Sequence, residues 1–310
     1  MREYIQLNDL APIVVTTYNR KNHLKNMITS LKKNNLSKDS EIYIFCDNYK
    51  SEIDKNLVQE TINYAKDIQG FKKVEVCIRE TNIGMVDNTL SAVDFICNLY
   101  DKFIFLEDDA ELSPIFLEFM NASLNFYKEN DNVMCVTGWK YPCKPQLNNE
   151  KVIFTRLAES WTWATWKDRF VHYNRDNSIM KKFTKRMIYE FNFHNTNLFW
   201  RQLVGNKEKR VKTWSIYWYA ASFLNDGLCV APPQTLVKNT GNDGSGYHTE
   251  KNNLFDTSVS KAKYFIFNND IKEDIEYFNN LKIYFKSMKP SIFHRVKFRL
   301  KNDFYTFIGK

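Results

Sequence analysis

Residues 102–109 read KFIFLEDD, and no other stretch constrains the fold as much. Phe103, Ile104, Phe105 and Leu106 form a continuous apolar run, the pattern of a strand buried on both faces of a parallel sheet. Glu107, Asp108 and Asp109 must then emerge at its carboxyl end, the edge at which open α/β sheets bind ligands. Three adjacent acids repel one another unless a cation lies among them, and a hard divalent ion with oxygen ligands is the usual solution. The alternative is that one acid caps a helix starting near Ser113-Pro114 while the others face solvent.

The rest of the amino-terminal half supports a sheet around that strand. Strands are expected at 13–17, 41–45, 73–78, 102–106 and 133–137, with helices at 21–33, 51–68, 85–100 and 114–128, whose apolar residues recur at three and four spacing. Asn19 stands at a cap position, Gly70 closes the second helix, and Ser113-Pro114 suits a helix start. Such alternation implies right-handed crossovers and an α/β fold with a mostly parallel sheet. After Trp139 the pattern changes: YPCKPQLNNE is turn-rich, and two aromatic clusters follow, ESWTWATW (159–166) and TWSIYWYA (213–220). Their rings can form core or offer flat faces to a sugar. NTGNDGSGYH (239–248) is a glycine-rich loop ending on His248; it can close over a phosphate-bearing ligand or be a mobile turn.

Charge adds a third region. The chain carries a formal net +8, and residues 281–310 hold eight Lys or Arg against Asp303 alone, a net of +7. The first 280 residues are therefore nearly neutral as a whole. In the tail the bases interleave with apolar and aromatic residues, as in a segment lying on an anionic membrane or a terminal helix packing one face on the domain. Confinement of the charge to this end, with no binding motif, argues against nucleic acid. No apolar run approaches a spanning helix, the amino terminus lacks a signal-peptide pattern, and six scattered cysteines suit a reduced, cytoplasmic setting.

Taken in order, APIVVTTYNR, IYIFCDN, ETNIGM, FIFLEDDAELSPIFLEFM, SWTWATW and LVKNTGNDGSGYH resemble bacterial glycosyltransferases of the GT-A fold. The similarity is to family 2-like sugar transferases of surface-polysaccharide loci, related to N-acetylglucosaminyltransferase I, and covers roughly residues 11–250. It implies a nucleotide-sugar-binding half at 1–138 and an acceptor-side half at 139–255, while the charge pattern of the remainder gives a helical basic amphipathic tail at 256–310. It further implies that Thr16, Tyr18, Arg20 and Asp47 hold the uracil and ribose of a UDP-sugar, with Asn82 and Gly84 forming the turn beside the nucleoside. Asp109 and His248 would bind Mn²⁺ or Mg²⁺, with Asp108 nearer the ribose and donor sugar and Glu107 steadying the site. Trp161, Trp163 and Trp214 would face the acceptor, a glycan or lipid-linked glycan.

Inverting transfer needs a general base, and here the chain departs from its relatives. Thr213 and Ser215 stand where an aspartate is common, and Thr162 where glycine is common between the first two tryptophans. Asp243 and Glu159 remain as candidate bases. Two other classes stay open. A nucleotidyltransferase would carry a glycine-rich phosphate loop after the first strand, which TTYNRKNHL lacks, and a non-catalytic carbohydrate-binding protein would need the tryptophans but no metal.

Overall fold

The computed structural model describes residue 6 and residues 9–143, 150–241, 243–244 and 257–288. In chain order the elements are β1 (Ile13–Thr17), α1 (Lys21–Leu31), β2 (Glu41–Cys46), α2 (Lys55–Lys66), β3 (Lys73–Ile78), α3 (Met85–Cys97), β4 (Lys102–Glu107), β5 (Ala110–Leu112), α4 (Phe116–Phe126), β6 (Val133–Thr137), β7 (Ile153–Thr155), β8 (Thr162–Trp166), α5 (Lys167–Phe170), α6 (Lys185–Phe191), α7 (Phe199–Lys207), α8 (Ser215–Leu224), β9 (Leu228–Ala231), β10 (Val237–Asn239) and α9 (Ile275–Met288). Eight strands form one sheet in the order β3-β2-β1-β4-β8-β6-β9-β7. Six run parallel, while β8 and β7 run against them. The fold is thus mixed α/β with a large, mostly parallel central sheet flanked by helices, as the alternating pattern predicts.

β4 is fully buried from Phe103 to Leu106, and its two faces feed two separate cores. Ile104 and Leu106 pack with α1, α2 and α4, whereas Phe103 and Phe105 pack with α3, α8 and α9. β8 lies between β4 and β6 with Leu106 opposite Thr162, so the first tryptophan cluster becomes a central strand. The helix starts differ from expectation. Asn19 does not cap α1, whose N-cap is Arg20 with no side-chain cap bond. α2 begins at Lys55 because Asp54 accepts from the Ser51 N–H and hydroxyl, holding 51–54 as a turn. α4 begins at Phe116 after a turn in which the Phe116 N–H bonds the Ser113 carbonyl.

Residues 257–288 pack against the rest of the domain. The Ser113 hydroxyl donates to the Ser260 carbonyl at 2.9 Å, Phe265 meets Phe119 at 4.7 Å between ring centres, and Arg156 pairs with Glu273 at 2.5 Å. In α9, Tyr277, Phe278, Leu281 and Phe285 are buried, so residues 281–288 are a core-packing helix end. The remaining basic tail lies outside the described residues. No helix among those described is long and apolar enough to cross a membrane, and all six cysteines are free thiols.

Candidate functional site

β1 and β4 lie side by side with Thr16 opposite Glu107, which brings the chain after β1 onto the acids after β4. The Thr17 hydroxyl donates to Asp108 Oδ2 at 2.7 Å. Arg20, at the mouth of α1, places Nη2 at 2.6 Å from Asp108 Oδ1 and 2.9 Å from Asp109 Oδ2. The chain itself thus places one cation on Asp108 and Asp109. Burial works against the guanidinium's charge, but Asp108 and Asp109 outweigh it and hold Arg20 above its ordinary value. Burial, then Asp109 and Asp108, push Glu107 well above the usual carboxylate range; burial also raises Asp108 despite the opposing pull of Arg20.

A second ribbon closes on the same acids. β5 and β10 pair antiparallel, with Asn239 opposite Ala110, so the glycine-rich loop leaves β10 directly over Asp109. The Thr240 N–H and hydroxyl both donate to the Asp109 carbonyl at 2.8 Å. A Cβ on Gly241 would lie 2.1 Å from Asp109 Oδ2, so only glycine allows this approach. Asp243 Oδ2 then lies 3.2 Å from His23 Nε2. Between this loop, α1 and α2 is a cavity of about 560 Å³ lined by Asn19, Arg20, His23, Asn26, Thr240 and Asp243, among others.

Asp47, after β2, is 3 % exposed and organises the neighbouring turn. Its Oδ1 accepts from the Asn48 and Ile83 N–H groups, both at 3.0 Å, and its Oδ2 from Asn82 Nδ2 at 3.1 Å and the Gly84 N–H at 2.8 Å. A carboxylate has about four acceptor directions, and these four donors use them. Asp47 thereby fixes the Asn82-Ile83-Gly84 turn. Gly84 has φ +81, a backbone conformation that favours glycine, and no protein atom within 4 Å of an added Cβ. The Tyr18 hydroxyl donates to Asp54 and accepts from the Lys50 N–H.

The aromatic residues divide. Trp163 is 0 % exposed and Trp214 3 %, their ring centres 5.5 Å apart, with Phe103 and Trp218 at 5.2 and 5.6 Å from Trp163. Both rings lie in the core, Trp163 on the interior strand β8 and Trp214 at the start of α8. Trp161 is only partly buried and meets Trp139 at 4.7 Å. Glu159 has Oε1 out of contact with solvent and without a hydrogen-bond partner; burial pushes its carboxyl up to about 8, offset in part by Tyr141. His248 lies outside the described residues.

Sequence reasoning missed Thr17, Thr240, Gly241 and the clamp role of Arg20. Only a polar pair ending an apolar strand, Thr16-Thr17, signalled the first. As for a metal, Mg²⁺ and Mn²⁺ take hard oxygen donors, and Asp108 and Asp109 offer them at the strand end. Among the described residues no group of three or more His, Cys, Asp or Glu converges on a cation site.

No protein-family model and no curated protein matches this chain. Among solved structures it is similar to S. aureus TarS residues 1–349, with TM-score 0.43 and 12 % identity over 75 % of this chain and 60 % of that one. A longer TarS structure gives TM-score 0.41 and 12 % identity over 75 % of this chain and 37 % of that one. The mannosyltransferase PcManGT from Pyrobaculum calidifontis, solved in complex with GDP-Man and Mn²⁺, gives 0.39 and 10 % over 69 % of each chain. The chain thus spans less than two thirds of the TarS structures it resembles.

Proposed function

We propose that the chain is a GT-A glycosyltransferase that moves a sugar from a UDP-sugar to an acceptor hydroxyl, with inversion, in the synthesis of a surface glycan. The observation that carries this reading is the pair Asp108–Asp109, bridged by Arg20 at the carboxyl edge of β4 and overlain by Thr240-Gly241. Asp109, with Asp108 beside it, would hold Mn²⁺ or Mg²⁺, which when bound neutralises charge building on the departing diphosphate. Arg20 adds a fixed positive charge at the same point, and the Asn82–Gly84 turn that Asp47 holds would border the nucleoside. Thr16, paired opposite Glu107, stays a proposed nucleoside-side residue, and His248 a proposed carboxy-terminal ligand.

For the base, the support favours Asp243, since Thr240 and Gly241 of the same loop touch Asp109. Glu159, with its carboxyl near 8, is protonated at neutral pH and is the weaker candidate. Trp161 remains the proposed acceptor-side ring. The acceptor would be a glycan or lipid-linked glycan on the cytoplasmic membrane face, reached in part through the basic residues that follow α9.

Calorimetric titration with UDP, with and without Mn²⁺ and chelator, followed by a screen of UDP-sugars for slow hydrolysis, tests the reading. Metal-dependent UDP binding and hydrolysis of one donor are expected. Absence of both in folded protein would overturn it and return the carbohydrate-binding alternative.

A further inference from the structure

The segment between α5 and α8 carries a charge imbalance that no part of the proposed reaction uses. Residues 175–212 hold ten Lys or Arg against three acids, a net of +7 in a chain whose total is +8. Lys181, Lys182, Lys185, Arg201, Lys207 and Lys209 are all exposed and make no ion pair among the described residues. Unpaired like charges on so small a unit repel one another and lower its stability unless something anionic meets them.

Three observations make this segment a surface rather than a scatter of solvated side chains. Its short elements pack as one body, since Phe183 lies 5.2 Å from both Phe191 and Trp200 and stacks on Phe223 at 5.7 Å. The lysines flanking Phe183 and Arg201 beside Trp200 therefore belong to one unit. Exposed apolar side chains are interspersed with the bases: Val171 is 69 % exposed, Leu198 51 %, Tyr189 44 % and Val211 40 %. The unit is also fixed at the functional edge of the sheet. Lys212 Nζ lies 2.7 Å and Arg175 Nη1 3.7 Å from the Asp87 carboxylate, which stands in the first turn of α3, just after Gly84.

We propose that this basic, apolar-studded face docks on an anionic lipid surface and holds the carboxyl edge of the sheet towards the membrane. Basic residues near such a surface are drawn to its negative potential, and exposed Val, Leu and Tyr side chains gain by entering the headgroup boundary. A polyanion such as nucleic acid or an anionic glycan would use the charges but leave those apolar side chains in water, so lipid fits the whole face. The docking would present a lipid-borne acceptor to the site, and that consequence alone rests on the sugar-transferase reading.

The test is co-flotation of the full chain with phosphatidylcholine vesicles with and without phosphatidylglycerol. Binding is expected only with phosphatidylglycerol, and weaker at high salt. The variant Lys181→Glu, Lys182→Glu, Lys207→Glu, Lys209→Glu should lower that binding by at least about tenfold while thermal unfolding is unchanged. A second variant, Lys289→Gln, Arg295→Gln, Lys297→Gln, Arg299→Gln, should retain phosphatidylglycerol-dependent binding through the face described here. If charge reversal unfolds the chain, Gln at the same four positions carries the test. The proposal is overturned if the first variant binds like the parent, if only the second loses binding, or if the parent binds heparin or double-stranded RNA but not anionic vesicles. The readout needs no nucleotide, so vesicle binding with neither metal-dependent UDP binding nor UDP-sugar hydrolysis would sink the enzymatic reading alone.

Discussion

Asp47 and Glu159 are carboxylates in the two halves of the domain, and their surroundings are opposite. Asp47 has four donors on its two oxygens, three of them backbone N–H groups. Glu159 has one buried oxygen with no partner and a carboxyl pushed up to about 8 by burial. The same contrast holds between the halves around them. At the ends of β1, β2 and β4 the polar groups are joined into networks through Arg20, Thr17 and Asn82, whereas the aromatic half leaves the indole N–H groups of Trp139, Trp163, Trp166 and Trp218 buried without a bond partner. A network of satisfied charges is held in place before any ligand arrives; an aromatic packing supplies shape and leaves polar capacity unused. The first half thus has the character of a preorganised charge-handling site and the second that of a scaffold.

The comparison can be broken most sharply at Asp109. Asp109→Ala should lower UDP-sugar turnover by about 10²–10³-fold or more while circular dichroism and melting remain near those of the parent. Undiminished turnover would remove the charge-handling role. Arg20→Ala should come next: it leaves Asp108 and Asp109 facing each other without their cation, at a cost of about 3 kcal/mol in denaturant unfolding. A loss under about 1 kcal/mol would mean that solvent already compensates the pair.

Asp47→Asn exchanges two carboxylate acceptors for one acceptor and a donor that faces other donors. Stability should fall by about 2 kcal/mol, with hydrogen exchange quickened at Ile83 and Gly84. Unchanged exchange there would show that Asp47 does not hold the turn. The smallest effect is expected in the other half. Because the Glu159 pKa is raised from 4.5 to about 8 in the folded chain, its contribution is fully present below about pH 4.5 and is lost as pH rises towards 8. Glu159→Gln, which mimics the protonated carboxyl, should flatten that decline and leave the chain more stable than the parent at pH 8 and above. A parallel pH profile would show that Glu159 is already ionised and paired.

Much of the site was legible because it follows a short-range rule. The apolar run 103–106 could only be a buried strand, so Asp108 and Asp109 had to stand at a sheet edge, and a glycine after Asn82-Ile83 marked a turn. The pairing of Arg20 with Asp108 and Asp109 was not legible, because its guanidinium's destination depends on β1 lying beside β4, a contact across 88 residues. The burial of Trp163 and Trp214 was not legible either, because it depends on β8 lying between β4 and β6 and on α8 packing against that face. The basic segment 175–212 was hidden by averaging: its net +7 is offset elsewhere in the first 280 residues, so their total reads as nearly neutral.

What the sequence by itself determined was the alternation of strands and helices in the first half and the residue types at the ends of those strands. Both follow from local periodicity and from the bar against burying unpaired charge, which act within a few residues. What only the tertiary structure decided was partnership: that Arg20 and not another group neutralises Asp108 and Asp109, that Gly241 must lack a side chain because Asp109 lies beneath it, and that α9 seals the aromatic core. Those outcomes depend on which strands become neighbours, and strand pairing is set by the burial of whole faces at once, an energy that no short window of sequence contains.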